Sequence, residues 1–138
     1  MRPLSRLLPL ALAAALAGCG QAQSSAGEFE GAEKAVAETI EDLQSGAQNR
    51  KPAEICSDVL SRELADKVKS AGNDCVREME KVTADSDDFE LEVTDVTVTG
   101  TTATAKVKAR KGDSDGASTT FTLTREDGDW RLSSLGAA

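Results

Sequence analysis

Residues 89–110 read FELEVTDVTVTGTTATAKVKAR, and the phase of that stretch decides the fold. Phe89, Leu91 and Val93 alternate with polar residues, the period of a strand with one buried face. Val96 and Val98 continue the alternation in the opposite phase, whereas Ala103, Ala105, Val107 and Ala109 keep one phase throughout. Folding the stretch about Gly100-Thr101 sets Val98 against Ala103 and Val96 against Ala105. Val93 then meets Val107, and Leu91 meets Ala109, only if the first strand holds one extra residue near Thr94 or Asp95. Such a β-bulge bends a strand and raises its twist. The same register places Glu92 opposite Lys108 and Glu90 opposite Arg110 on the outer face. Cross-strand pairs of this kind contribute about 0.2–1 kcal/mol each.

Downstream, Thr119, Phe121 and Leu123 form the inward side of a third strand, and Asp127-Gly128 is a hairpin turn signal. Trp130 and Leu132 continue in phase on a fourth strand, with Leu135 one residue out of step. A second bulge near Ser133-Ser134 returns Leu135 to the Phe121 side. Upstream the period is helical. Phe29, Val36 and Leu43 recur every seven residues with Ile40 on the same face, and Ser45-Gly46 marks the stop. A second helix starts at Pro52 and carries Ile55, Cys56, Val59 and Leu60 along one side; Ser61 caps its continuation through Leu64 and Val68 to Gly72. Asn73 or Asp74 caps a third helix that carries Cys75, Met79 and Val82. The expectation is an α+β domain: three N-terminal helices packed on a curved, bulged, four-stranded antiparallel sheet.

The first eighteen residues stand apart from that domain. Arg2 and Arg6 precede an apolar run from Leu7 to Leu16, which is shorter than the roughly 18 residues a membrane-spanning helix requires. Leu16-Ala17-Gly18-Cys19 resembles the bacterial lipobox, in which the cysteine thiol receives a diacylglycerol before cleavage. Residues 1–18 are therefore read as a lipoprotein signal peptide, residues 19–27 as a lipidated Cys19 with a flexible linker, and residues 28–138 as one domain. Attachment through two or more acyl chains is effectively stable, at about 0.8 kcal/mol per buried methylene. The linker spans roughly 16 Å as a flexible coil, which holds the domain beside the extracytoplasmic face of the membrane.

The whole chain has 16 basic and 24 acidic residues, and removing Arg2 and Arg6 leaves fourteen basic ones and a charge of −10. That balance speaks against nucleic acid and anionic headgroups as partners. The chain contains no His and no Tyr, so the commonest general base and a common phenolic acid are missing. With Cys19 assigned to lipid, Cys56 and Cys75 remain, and an even pair in an oxidising compartment reads as a disulfide. The loop it closes, about 20 residues, contributes roughly 3 kcal/mol in the chain-entropy model. Two thiols without His lack the usual ligand set of a metal site, and no cofactor motif is present.

Helices followed by a bent antiparallel sheet that ends in Asp-Gly-Asp-Trp-Arg-Leu-Ser-Ser-Leu (Asp127 to Leu135), with Cys56 and Cys75 in consecutive helices, resemble small bacterial lipoproteins of the nuclear transport factor 2-like superfamily. The resemblance runs from about Glu28 to Leu135. It implies a cone of helices and sheet whose open end forms a pocket, and it implies homodimers formed through the sheet. Enzymatic members place an Asp inside, often with Tyr, His or Arg; this sequence lacks the first two, and lacks a clear short strand between its second and third helices.

The candidate pocket residues are Met79, Asp95, Phe121 and Trp130. Asp95 falls at the inferred bulge among apolar neighbours, although a solvent-facing carboxylate in an irregular strand is the plainer explanation. Met79, Phe121 and Trp130 line an apolar cavity or complete the core. Asp113-Ser114-Asp115-Gly116 resembles the opening of a calcium loop, lacks the later ligands and reads as a plain turn. Asp85, Asp87 and Asp88 read as a helix-to-strand connector. The function expected is a membrane-anchored, non-enzymatic binding or protein-interaction module, its partner a small apolar ligand or another envelope protein. The rivals are a lyase, isomerase or hydrolase using Asp95, and a purely structural envelope lipoprotein.

Overall fold

A computed structural model of the chain describes residues 25–72 and 74–136. The signal segment and Cys19 lie outside the described residues. Among the described residues the fold is α+β, with four helices and an open four-stranded antiparallel sheet of order β1-β2-β3-β4. No described helix is long and apolar enough to cross a membrane.

Helix α1 (Gly31–Gln48) buries Val36, Ala37 and Ile40 against the sheet. It runs past the stop expected at Ser45-Gly46, because Gly46 serves packing and not termination. A β-carbon there would lie 2.7 Å from Cγ1 of Ile55. The helix ends instead at Asn49, with Arg50 in the left-handed region (φ 53°). The Arg50 amide donates to the Ala47 carbonyl and the Lys51 amide to that of Gly46, the paired bonds of a Schellman motif.

Helix α2 (Pro52–Glu54) begins with proline and widens into the π-helical turn Ile55–Val59. The expected continuation breaks here, which makes four helices in place of three. Leu60 is extended (φ −77°, ψ 145°) and forms a parallel bridge with Leu132, and the Ser61 amide donates to the Leu132 carbonyl at 2.8 Å. Ser61 then restarts the helix as the cap of α3 (Arg62–Ala71), its Oγ accepting from the Leu64 amide at 3.1 Å. Helix α4 (Cys75–Thr83) is capped by Asp74, which accepts from the Val76 amide. A disulfide joins Cys56 to Cys75 and so ties the α2 turn to the first residue of α4.

The strands are β1 (Phe89–Thr99), β2 (Thr102–Lys111), β3 (Ser114–Glu126) and β4 (Asp129–Ser134). Val98 faces Ala103, Val96 faces Ala105, Val93 faces Val107 and Leu91 faces Ala109, with the shift between Val93 and Asp95. Thr94 is thus the extra residue. Ser133 is skipped in the same way between β3 and β4, where Thr122 meets Ser134 and Leu123 meets Leu132. A third irregularity opposes Lys108 to Ser118 and Arg110 to Asp115. It falls where a turn had been expected; the turn is one step earlier, at Gly112 (φ 59°), and Ser114 already belongs to β3. Gly116 permits it, since a β-carbon there would stand 2.3 Å from the Ala109 carbonyl oxygen.

The ordered fold also reaches into the stretch read as linker. Ser25–Glu28 forms a 3-10 turn with Ala26 buried, its amide donating to Oε1 of Glu41 at 2.8 Å. Ser25 Oγ accepts from the Val93 amide, Gln44 Oε1 accepts from the Leu91 amide, and Gln48 Nε2 donates to the Phe89 carbonyl. On the far edge, Thr39 Oγ1 donates to the Trp130 carbonyl and Ser61 N to that of Leu132. Side chains or loops therefore engage the edge of β1 at Phe89–Val93 and that of β4 at Trp130–Leu132, which hinders pairing with another strand there.

Candidate apolar ligand site

The apolar faces of α3 and α4 point at the sheet without closing on it. Leu64, Val68 and Met79 remain only partly buried, and of the residues in these two helices only Thr83 is buried. A cavity of about 440 Å³ is left between them. Phe89 and Phe121 line it from the sheet, Leu43 and Ala47 from the last turns of α1, and Ile55 and Leu60 from the bent segment that follows. Leu64, Val68, Met79 and Val82 form the wall on α3 and α4, and the disulfide ties α4 to the turn that follows α2. The volume lies within the roughly 300–1,000 Å³ typical of small-molecule sites.

Two of the polar residues that line the cavity are already occupied. The Thr83 hydroxyl donates to the Glu80 carbonyl at 3.4 Å and the Ser86 hydroxyl to that of Val82 at 3.3 Å. Asp85 and Lys111 are exposed members of the lining, and among the described residues neither forms an ion pair. Among the described residues Val82 and Leu135 are the exposed large hydrophobics, at 67% and 43%, and both line this cavity.

A larger polar cleft of about 540 Å³ includes Arg62, Glu126, Asp127 and Arg131. Its guanidinium groups are engaged: Arg62 with Glu126 and Asp127, and Arg131 with the Ser57 carbonyl at 2.6 Å. A smaller hollow holds Asp42, Glu54 and Asp58. Burial, and then the carboxylates of Glu38 and Glu41, raise Asp42 above the usual carboxylate range. Among the described residues no group of three or more His, Cys, Asp or Glu is arranged to hold a metal.

Met79 and Phe121 come together in the apolar cavity, but Asp95 and Trp130 do not line it. Trp130 is buried on β4, where Thr39 bonds to its carbonyl. Asp95 is exposed, its Oδ2 3.9 Å from Nζ of Lys106 across the strand pair. The bulge explains the correction: with Thr94 as the extra residue, Thr94 and Asp95 are successively exposed before Val96 turns inward. Lys111 carried no mark in the sequence that set it apart, whereas Phe89 was marked as an inward strand residue and Asp85 only as part of a connector. Leu135 was marked by its broken phase.

Residues 57–137 match the family model of the low molecular weight antigen MTB12, C-terminal domain. The chain belongs to this family. The match covers more than half the chain and contains α3, α4 and all four strands, hence most of the cavity; α1 lies before it. No curated relative matches the chain. Membership of the MTB12 family, a small bacterial antigen family, together with the disulfide, fits a small secreted or envelope-associated protein.

Proposed function

We propose that the protein is a membrane-tethered, non-enzymatic binding module that holds a small apolar ligand beneath α3 and α4. The observation that carries this reading is the cavity of about 440 Å³, apolar within and flanked by the exposed Val82 and Leu135. Packed interiors leave few voids larger than a water molecule, so a space of this size between two amphipathic helices and a sheet suits an occupant. The layer of helices on a bulged sheet is read as the cone of a nuclear transport factor 2-like fold, with the cavity at its open end. Lipid on Cys19 keeps that opening close to the bilayer, where apolar solutes concentrate. The carboxylate weighed for catalysis, Asp95, pairs with Lys106 in solvent, which weakens an enzymatic reading built on it.

Native mass spectrometry of the mature protein, released gently from membranes, tests the proposal. The expected result is a mass excess that organic extraction removes, together with uptake of an environment-sensitive apolar dye by the extracted protein. An apo mass with no dye uptake would refute it. A second reading follows from the outer face, where the register aligns Thr97, Thr104 and Thr122 in one row and Thr99, Thr102 and Thr124 in another. With both edges engaged, this face is the surface left for an envelope protein or a second copy. Concentration-dependent sedimentation and co-purification read that out.

A further inference from the structure

We propose that the ligand is a single-chain amphiphile whose head carries both charges, with an anionic phosphate set against Lys111 and an ammonium set against Asp85. The inference rests on the apolar-ligand reading above and adds the chemistry of the head.

Lys111 closes β2 opposite Phe89, a residue of the cavity lining, so the lysine stands where the sheet runs out at the rim. Asp85 stands just beyond the end of α4, close in sequence to Val82 and Thr83 of the opposite wall. The two rim segments are tied together, since the Gly112 amide donates to the Asp88 carbonyl at 3.2 Å. Of the charges nearby, Asp87 pairs with Arg50 at 3.0 Å, Glu92 with Arg110 at 2.7 Å and Asp95 with Lys106, while Asp88 and Asp113 form no ion pair among the described residues and do not line the cavity. Asp85 and Lys111 are not paired with each other or with another described residue. A purely anionic head would meet Lys111 and leave a carboxylate facing it; a purely cationic head would do the reverse. A head with both signs satisfies each. Below the rim the Thr83 and Ser86 hydroxyls are occupied and the remaining surface is apolar, which asks for hydrocarbon. The volume sits toward the lower end of the usual range for ligand sites, and so favours one chain over two.

The experiment is calorimetric titration of the mature protein, stripped of bound material, with three ligands of one chain length below their micellar concentrations. These are a lysophosphatidylethanolamine, the fatty acid and the alkylamine. The zwitterion should bind tightest. Lys111→Met should weaken the zwitterion and the fatty acid but not the amine, and Asp85→Asn should weaken the zwitterion and the amine but not the fatty acid, since each variant also relieves the single-sign head of its unmatched charge. Each loss should be roughly two- to fivefold, as for exposed charge pairs. Both side chains are exposed, so the variants should fold, and an unchanged Tm checks this. Equal binding of all three ligands, or variants without effect, overturns the head assignment and leaves the apolar reading standing. The fatty acid binding the wild-type protein more tightly than the zwitterion also overturns it. Failure of every ligand to bind removes the apolar reading and this inference with it.

Discussion

Helix α1 and the pair α3–α4 cover the same sheet with opposite results. On α1, Val36, Ala37 and Ile40 are fully buried, and Gly46 lets Ile55 approach to a distance no other residue would permit. On α3 no residue is buried, and on α4 only Thr83 is. Both flanks have apolar stripes; the difference is whether the stripe meets a surface that fits it. One flank generates stability and the other generates space. Family membership rests on the second flank and the sheet, since the matched region begins after α1.

The contrast can be broken most forcefully by truncating one apolar side chain on each flank. Ile40→Ala should cost about 2–5 kcal/mol in denaturant unfolding, as for other filled core sites. Leu64→Ala, in a wall that already borders empty space, should cost well under half as much. Equal costs would mean that the two flanks are packed alike.

The disulfide sharpens the same comparison. Replacing Cys56 and Cys75 together by Ser should lower stability by roughly 3 kcal/mol. Amide exchange should accelerate in Arg62–Ala71 and Cys75–Thr83 far more than in Gly31–Gln48. A uniform acceleration would show that the staple serves the whole domain and not the cavity wall.

Gly46→Ala probes the tight flank from the other side. The added methyl must displace Ile55, and overpacking of this kind costs about 1–3 kcal/mol. Because Ile55 also lines the cavity, apolar-dye binding should change with it; a variant with wild-type stability would remove the argument for close packing.

The smallest effect is electrostatic. Asp42 has its pKa raised by burial and by Glu38 and Glu41, so the folded state holds its proton more tightly than the unfolded chain does. Its contribution to stability therefore declines as pH rises from the unfolded carboxylate value through the raised folded one. Asp42→Asn should be more stable than wild type at neutral pH by a few tenths of a kcal/mol, roughly the scale of exposed charge effects. The gap should close below about pH 4, where both forms are neutral. A gap that widens toward acid would reverse the sign.

The sheet was legible wherever hydrophobic phase carries register. The three-residue step from Val93 to Val96, one more than the strand period, placed the first bulge, and the displaced Leu135 placed the second. The irregularity at Gly116 left no such trace, because the polar run around it has no apolar phase to break. The interruption at Leu60 and Ser61 was hidden for the converse reason: both are buried, so periodicity passes smoothly over a residue that is extended and bonded to β4. Met79 and Phe121 were found because they belong to apolar stripes, and Asp95 was misplaced because alternation does not say on which side a bulge sets its extra residue. The cavity itself had no signature. A sequence states which faces avoid water, and not whether two such faces meet.

The bonds from Gln44, Gln48 and Thr39 to the rims of the sheet have a consequence for crowding. Unsatisfied strand rims recruit other chains into cross-β stacks, and neighbours held in a plane by the proposed lipid tether would meet at high local density. One helix thus serves as core and as chaperone to its own sheet. Damage to those amide and hydroxyl contacts would surface first as fibrous self-association in concentrated samples, well ahead of any loss of thermal resistance.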